Sequence, residues 1–247
     1  MRADLIGDRP ARFTAVPLYE QVKDTIAQQI ADGQWKPNLA MPNENELARV
    51  LGVSPGTMRK ALDLLESEGL VVRRQGRGTF VSDPASPSVA NRYTMFSTSH
   101  GGRTVGDIQL LEALVAVPTM AERLRLQLNG DDRVYRITRH RSHNGRAFVL
   151  ENVAMPFALF PNLIERGLAG KNLTEIAPQY AMLLGKGEET LEAALVTPAA
   201  ASVLGISSGS PVIRLSRIIK TRDGVPVQYR FGEFHQLDDT MLRFELG

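Results

Sequence analysis

Cysteine is missing altogether from this 247-residue chain. Disulfides, thiolate-bound zinc and cysteine nucleophiles are therefore excluded. Histidine is scarce as well, because the sequence contains only 4. His140 and His143 have a spacing that some metal ligands share, but no third ligand accompanies them. We expect no metal, no cofactor and no catalytic residue.

Long apolar runs and a strong charge imbalance are also lacking. No apolar stretch reaches the ~18 residues that a membrane helix needs, and the N-terminus has no apolar core of the signal-peptide kind. The sequence thus predicts a cytoplasmic protein with no membrane partner. Its net charge of +2 does not by itself indicate a nucleic-acid partner. The length permits two domains, and residues 1–16, which show no periodicity, are expected to be disordered.

Two helical patterns come first in the chain. The first has an apolar residue at every fourth position and stops at Gly33; these residues are Leu18, Val22, Ile26 and Ile30. The second begins after Asn43, which has a capping-box layout with Glu46 three residues later. Its predicted buried stripe consists of Leu47, Val50 and Leu51.

A third helix follows after a very short turn. Only Val53 separates Gly52, which ends the second helix, from Ser54, the predicted N-cap. Pro55 suits the first helical position, where no N–H is needed. One face of the helix then carries Met58, Ala61, Leu62 and Leu65. Two helices joined so tightly predict a helix-turn-helix, and the alternative is a plain helical bundle with a solvated charged face.

The stretch QGRGTFV at residues 75–81 allows two interpretations, a phosphate loop for a nucleotide or the tip of a hairpin. A nucleotide loop should follow a strand and open a helix. Here apolar pairs flank the glycines on both sides and predict two strands, so the nucleotide interpretation fails on context. Arg73, Arg74 and Arg77 lie within five residues without an acid among them. A basic hairpin after a helix-turn-helix indicates a wing that contacts DNA.

The composition changes after the wing. Residues 83–92 are rich in Ser, Pro and Ala and predict a linker between a domain at 17–82 and a second domain at 93–247. The second domain contains an internal echo, because VYRITRHRSHNGRAFVLENV resembles VIRLSRIIKTRDGVPVQYRF. Each copy follows a short helical segment and reads as strand, tight turn and strand. The echo predicts a duplicated helix-plus-hairpin unit in one antiparallel sheet and an α+β fold.

Alternation in the first of these strands places two arginines on an apolar face. Tyr135 and Ile137 share their face with Arg139 and Arg141. If that face is buried, the arginines need acceptors, and an anionic ligand or Glu151 on the return strand could supply them. A two-residue turn would put Glu151 on the opposite face, whereas a loop one residue longer with a bulge would bring it to the arginines. We favour the bulge; the alternative is that the arginines lie in solvent at the end of the sheet.

The first domain resembles the winged-helix DNA-binding domain of the GntR family of bacterial transcription regulators. The resemblance lies in an ordered series of segments: LYEQV, IADG, MPNENELA, VSPGTMR, EGL and GRGTFV. It implies that Arg59 on the recognition helix and Gly76 at the wing tip serve DNA binding. The family often has an arginine at the position of Asn45 and nearly always at that of Pro55, and both typically contact operator DNA.

These departures leave Asn45, Lys60 and Arg77 as partial replacements for the missing arginines. Small residues at the start of the third helix would let its N–H groups approach a phosphate. The predicted DNA-binding residues are Asn45, Ser54, Gly56, Thr57, Arg59, Lys60, Arg74, Gly76, Arg77 and Gly78.

The second domain, from about residue 93 to 245, resembles the UTRA effector-binding domain of the HutC-type GntR subfamily, whose fold is similar to chorismate lyase. The supporting segments are VYRITRHR, RAFVLENVAMP, VLGISSGSPVIRLSR and GVPVQYRFGEF. The resemblance implies that Arg139, Arg141 and Glu151 line the effector pocket. Ser97 matches a Ser or Thr near the first strand of the domain, and Tyr229 is a candidate from the last strand. GEFHQLDD departs from the family's Tyr-Arg-x-Asp ending.

The combined prediction is a bacterial transcription regulator, expected to be a repressor, that binds operator DNA as a homodimer and responds to a small anionic metabolite. Such domains usually form the dimer, which suits a palindromic operator. One alternative is an enzyme, in which a lyase-like domain carries a DNA-binding appendage. Another is a DNA-binding protein without an effector, whose second domain serves only for dimerisation.

Overall fold

The structure, a computed structural model, describes residues 16–83, 86, 96–98, 102 and 104–243. The segment 1–16, predicted to be disordered, lies outside the described residues apart from residue 16. Of the predicted linker, only residues 83 and 86 are described. In the described ranges, no helix combines the length and the apolar character that crossing a membrane requires.

The N-terminal domain is a winged helix-turn-helix, as its sequence predicts. Its elements are α1 (Leu18–Ala31), α2 (Glu44–Val50), α3 (Pro55–Ser67), β1 (Val71–Arg74) and β2 (Gly78–Val81). The capping box of α2 is present, because Asn43 and Glu46 exchange hydrogen bonds between side chain and backbone. The four apolar residues predicted for α3 are all buried in the core of this domain.

Two apolar predictions in this domain are wrong. Val50 is 74% exposed, and the buried residues of α2 are Leu47 and Ala48. The centre of the buried stripe lies between these two residues, about 110° around the helix from Val50 by helix geometry. Leu18, the first residue of α1, is 53% exposed, because the helix packs through residues further along its length.

The C-terminal domain is built on an antiparallel sheet whose strand order is β4-β5-β6-β9-β8-β7. The strands are β4 (Asp107–Ala116), β5 (Val134–His143), β6 (Arg146–Pro156), β7 (Leu184–Leu195), β8 (Pro211–Thr221) and β9 (Pro226–Phe234). Helix α4 (Met120–Leu126) precedes the first hairpin, and α6 (Pro198–Leu204) precedes the second. The order is symmetric about the β6–β9 pair. The predicted duplication and the α+β class are confirmed, with one further strand in each copy.

The two faces of this sheet have different coverings. Helices α4 and α6 pack on one face with apolar residues of the central strands. The other face is covered by residues 157–182, which include the short helix α5 (Leu173–Ile176). A separate pair of short strands, β3 (Phe96–Thr98) and β10 (Thr240–Leu242), packs beside the sheet through Phe96. The arginine face of β5 belongs to the side that residues 157–182 cover.

The β5–β6 hairpin contains the predicted bulge, although its turn is not longer. His143 pairs with Arg146 across a two-residue turn, and the register then shifts between Arg141 and Ser142. The extra residue is Phe148, inside β6 rather than in the loop. After this shift Glu151 pairs with Arg139. The prediction that Glu151 shares the arginine face is confirmed, and the predicted loop length is wrong.

Candidate functional site

The start of α3 presents small, exposed groups. The Ser54 side chain caps the helix, because its Oγ atom accepts the Thr57 N–H at 3.1 Å. Pro55 occupies the first turn, and Gly56 is exposed beside it. An added Cβ at Gly56 would meet only Ser54 Oγ, at 3.9 Å. A ligand could therefore come close to the N–H of Gly56, since Pro55 has no N–H and those of Thr57 and Met58 are bonded to Ser54.

Two basic residues follow on α3, each in contact with another residue. Arg59 is exposed, and its Nε atom lies 2.9 Å from Glu44 Oε1 at the start of α2. Lys60 places its Nζ atom 3.7 Å from the centre of the Tyr19 ring, a cation–π contact. Asn45 is exposed next to Glu44. The structure thus places Arg59 beside the start of α2, where Asn45 lies, whereas Lys60 lies over Tyr19 of α1.

The three arginines of the wing have different surroundings. Arg73 is bound to α3, because its guanidinium contacts Asp63 and lies 3.1 Å from Glu66 Oε2. Arg74 stacks on the Phe80 ring at 4.6 Å. Arg77 is exposed at the tip between Gly76 and Gly78, whose φ angles are 69° and 101°. Arg73 therefore anchors the wing, while Arg77 is free to face a ligand.

Two carboxylates and four guanidinium groups meet on the covered face of the sheet. The first three members are the predicted Arg139, Arg141 and Glu151, which are 6%, 3% and 1% exposed. Glu151 Oε2 lies 3.3 Å from Arg139 Nη2, and Glu151 Oε1 accepts a hydrogen bond from Arg141 Nε. We call the set of six groups the arginine cluster: Arg139, Arg141, Arg217, Arg230, Glu151 and Glu189.

The other three members come from the second copy of the repeated unit. Arg230 bridges the two carboxylates, at 3.4 Å from Glu151 Oε2 and 3.1 Å from Glu189 Oε1. Arg217 also contacts Glu189. The Glu189 side chain is only 10% exposed, because it lies between these two arginines. Each copy of the repeat therefore contributes arginines to one cluster.

The cluster has an excess of positive charge, and the pKa values reflect it. Burial raises the pKa of the Glu151 carboxyl, but the charges of Arg139, Arg141 and Arg230 more than offset burial and hold that pKa well below its usual 4.5. Burial and the neighbouring cations lower the pKa of Arg141 to about 10, in spite of Glu151. Arg141 still carries its charge at neutral pH. With four cations and two anions, the cluster has room for further negative charge.

A small cavity of about 30 Å³ lies against the arginines. The Lys171 carbonyl accepts from Arg139 Nη1 at 3.1 Å, and Asn172 Oδ1 accepts from Arg141 Nη2 at 3.2 Å. The Arg139 Nε–H and the hydroxyl of Thr174 are buried without a hydrogen-bond partner among the described residues. Buried donors without acceptors are costly. The site is therefore ready to accept an anion with several acceptor atoms.

Of the five predicted ligand residues, Arg139 and Arg141 line this cavity, whereas Glu151, Ser97 and Tyr229 do not. Glu151 contacts the two arginines that do. Tyr229 is on the opposite face of β9, packed with the residues around α4, and its hydroxyl lies 3.3 Å from Ser216 Oγ. Ser97 on β3 is fully buried, but it is not among the residues that line the cavity.

Of the missed members, Arg217 had a signal, because it follows Leu215 as Arg139 follows Ile137 and stands at the same place in the internal echo. Arg230 had none, because its neighbours on the same face of the strand are Gln228 and Gly232.

Comparisons with known proteins agree with both halves of this architecture. Residues 18–81 match the family described as bacterial regulatory proteins of the gntR family, and residues 103–235 match the UTRA domain. The HTH-type transcriptional repressor NagR of Bacillus subtilis is 29% identical over 220 residues, covering 87% of this chain and 88% of NagR. The histidine utilization repressor of Pseudomonas aeruginosa is 32% identical, covering 87% and 84% of the two chains.

Solved structures show the same fold at lower identity. The ligand-binding domain of a GntR-family regulator from Bordetella bronchiseptica has a TM-score of 0.57 at 20% identity, covering 63% of this chain and 98% of its own. PhnF from Mycobacterium smegmatis has a TM-score of 0.51 at 22% identity, covering 87% and 94%. At these identities the likeness concerns the fold alone.

Glu151→Gln should cost about 3–5 kcal/mol of unfolding free energy at pH 7, because it leaves buried guanidinium groups without their central anion. The depressed pKa of Glu151 means that its stabilisation is complete above its usual value of 4.5 and is lost as the pH falls below it. The Glu151→Gln variant should therefore lose less unfolding free energy between pH 5 and pH 3 than the unmodified protein does. Urea unfolding at several pH values measures both effects.

The control is Glu233→Gln, a carboxyl that is 5% exposed and that pairs with one arginine, Arg214, among the residues that the structure describes. The Glu233→Gln variant should lose less unfolding free energy at pH 7 than the Glu151→Gln variant. Equal stability of the Glu151 variant and the unmodified protein would contradict the central role of this carboxylate.

Proposed function

The chain belongs to the GntR family of bacterial regulatory proteins, as a HutC-type transcriptional repressor with an effector-binding UTRA domain, and on this premise we propose that it binds its operator as a homodimer and responds to a small anionic metabolite held by the arginine cluster. Its family consists of transcription regulators and not of enzymes. We call the two parts of the chain the DNA-binding domain and the effector domain, with the boundaries proposed from the sequence at 17–82 and 93–247.

The observation that supports an anionic effector is the uncompensated charge of the arginine cluster. Four buried guanidinium groups face two carboxylates, and the donors that Arg139 and Arg141 direct at Lys171 and Asn172 meet only neutral acceptors. Guanidinium groups bind phosphate, phosphonate and carboxylate through paired hydrogen bonds. Histidine and mannosyl-D-glycerate, which occur in the names of two relatives, both carry a carboxylate.

The size of the site requires that it open. A cavity of about 30 Å³ holds little more than one water molecule. A metabolite of several carbon atoms can enter only if a covering segment moves, and the nearest candidates are Lys171, Asn172 and Thr174. Effector binding is therefore expected to displace the start of α5, which gives the ligand a differential effect on two conformations.

A thermal-shift screen with carboxylates, phosphates and phosphonates tests the effector proposal. A compound that binds only the folded protein raises its Tm, by an amount that grows with concentration over Kd. Arg139→Ala should abolish the shift of any hit, because it removes a buried donor of the site.

The matched control for this screen is Arg214→Ala, an arginine that pairs with Glu233 on the opposite face of the same sheet. It should retain the ligand-induced shift. A hit that survives in Arg139→Ala would place the effector elsewhere. DNA binding by the unmodified protein that no anion alters would favour the alternative in which the effector domain only dimerises.

The DNA-binding surface is proposed to consist of the start of α3, Arg59 and the wing tip around Arg77. Asn45 and Pro55 replace two arginines that the family uses against DNA, so this chain relies more heavily on Arg59. The Arg59 side chain is 67% exposed and its nearest ion-pair partner is Glu44. The Arg59 guanidinium can thus bind DNA after breaking one solvent-exposed ion pair, and breaking such a pair costs little free energy.

Arg59→Ala should weaken operator binding by about 1–3 kcal/mol if the guanidinium contacts a base edge. If it contacts a phosphate, the slope of log K against log salt should fall by about 0.9. Fluorescence anisotropy with labelled operator DNA at several salt concentrations separates the two. Arg146→Ala removes an exposed arginine at the β5–β6 turn of the effector domain and should leave binding unchanged.

An exposed apolar strip on the edge of the sheet supports the homodimer. Strand β4 is an edge strand, paired on one side with β5. Large exposed apolar side chains run along β4 and into α4: Leu111, Leu114, Val115, Val117, Met120 and Leu124. Met120 and Leu124 are 81% and 76% exposed. An exposed apolar edge of this kind is typical of an interface, and a second copy of the chain, related by a two-fold axis, would bury it.

Leu124→Glu should shift the protein toward monomers, because it places a charge in the proposed interface. Light scattering coupled to gel filtration should show a rise of tenfold or more in the dimer dissociation constant. Leu195→Glu changes a leucine that is 65% exposed on the opposite edge strand, β7, and should leave the dimer intact. Dissociation in the Leu195 variant alone would place the interface on the other edge.

A further inference from the structure

An arginine at the tip of the β8–β9 hairpin reaches across to the DNA-binding domain. Its Nη2 atom, in Arg222, lies 2.9 Å from Asp24 Oδ1 on α1 and 3.2 Å from Glu68 Oε2 at the end of α3. The Arg222 side chain is only 17% exposed. A single side chain of the effector domain therefore holds two helices of the DNA-binding domain, one of which is the recognition helix.

An apolar contact accompanies this ion pair. Leu183, just before β7, packs against the core of the DNA-binding domain. Its carbonyl accepts the backbone N–H of Arg222 at 3.0 Å. The chains approach tightly at Gly185, where an added Cβ would lie 2.6 Å from the Thr221 carbonyl oxygen. Leu183 and Arg222 are thus fixed to each other, and we call the two residues together with Asp24 and Glu68 the latch.

A cavity of about 220 Å³ separates the two domains beside the latch. Its walls are mostly apolar and come from both domains: Ile30, Trp35 and Leu70 on one side and Ala177, Pro178 and Met182 on the other. Atoms that face a void have lost packing partners. The domains therefore touch over a limited contact, and a change in their orientation would not disrupt a continuous core.

The segment from Lys171 to Leu184 connects the latch to the arginine cluster. Its first residues accept hydrogen bonds from Arg139 and Arg141, as described above. Shortly after these, Thr174 lines both the arginine cavity and the cavity between the domains. Its last residues include Leu183 of the latch. One stretch of 14 positions thus contacts the effector site at one end and the DNA-binding domain at the other.

We propose that the latch holds the DNA-binding domain in one of two orientations, and that an anion at Arg139 and Arg141 releases it through the segment from Lys171 to Leu184. This inference rests on the proposed function of the arginine cluster. An entering anion takes the guanidinium donors that Lys171 and Asn172 use in the latched state, so the segment loses its anchor. Because the latch and the anion stabilise different states, each weakens the other by the same factor.

The first test measures the latch without any effector. The chain has no cysteine, so Thr25→Cys and Asp131→Cys place one spin label on an exposed position of each domain. Pulsed electron paramagnetic resonance, recorded on labelled protein diluted with unlabelled protein, reports the distance between the two spin labels of one chain. A single narrow distribution is expected, and Arg222→Ala should broaden or shift it. Lys220→Ala, which removes an ion pair with Glu188 inside the effector domain, should not.

The second test measures coupling with inorganic phosphate as the probe, by calorimetry in a chloride buffer of constant ionic strength. Arg222→Ala should bind phosphate about fivefold or more tightly than the unmodified protein, because no latch opposes the released state. Leu183→Ala should also bind phosphate more tightly. Because this variant changes no charge, the result shows whether tighter binding depends on the latch as a whole rather than on the charge of Arg222. Lys220→Ala should bind phosphate with unchanged affinity.

The two tests fail in different ways. An unchanged distance distribution in Arg222→Ala, or a broad one in the unmodified protein, would overturn the latch itself. Equal phosphate affinity in the Arg222 variant and the unmodified protein would overturn the coupling. If phosphate binds to neither protein while the distance changes as expected, the latch is supported and the anionic effector is the part that fails.

Discussion

A single carboxylate buried among arginines is the constraint on which the effector domain depends. Glu151 is 1% exposed and lies near three guanidinium groups from two strands, those of Arg139 and Arg141 on β5 and that of Arg230 on β9. Without the bulge at Phe148 the same residue would face the layer of α4 and α6, as an unpaired buried charge. The register of the first hairpin is therefore tied to the electrostatics of the cluster. The second hairpin is tied to it in turn, because Arg230 joins Glu151 to Glu189.

The same arrangement explains how a stable core can also be a binding site. Glu151 and Glu189 neutralise only part of the charge, and one further donor each of Arg139 and Arg141 bonds to the Lys171 carbonyl and the Asn172 side-chain oxygen. These acceptors are neutral and belong to a covering segment, whereas the carboxylates belong to the sheet. A stronger, charged acceptor can replace the former without disturbing the latter. The carboxylates of the sheet thus stabilise the arginines, and the neutral acceptors of the covering segment are the partners that a ligand can replace.

The sequence predicted the parts of this molecule that local rules determine. The caps at Asn43 and Ser54, the wing glycines and the alternation of β5 were readable because each depends on neighbouring residues. The burial of Glu189 was not readable, because it depends on Arg217 and Arg230 lying across two strands that pair only in the folded sheet. The misplaced Tyr229 has a related cause, since one residue of register decides which face it occupies. The contact of Arg222 with Asp24 joins positions 198 residues apart and leaves no local pattern.

The energies of these contacts favour the covering segment as the moving part. Releasing Glu151 from its arginines would cost about 3–5 kcal/mol, which exceeds the 1–3 kcal/mol typical of allosteric coupling. The carboxylates of the latch are more exposed, at 61% for Asp24 and 34% for Glu68, and ion pairs of that kind contribute about 0–1 kcal/mol each. Two such pairs give a conformational gap of at most about 2 kcal/mol, so the released state is populated at about 3% or more. An effector that exchanges neutral acceptors for its own charge can therefore shift the equilibrium, while the buried network around Glu151 stays intact in both states.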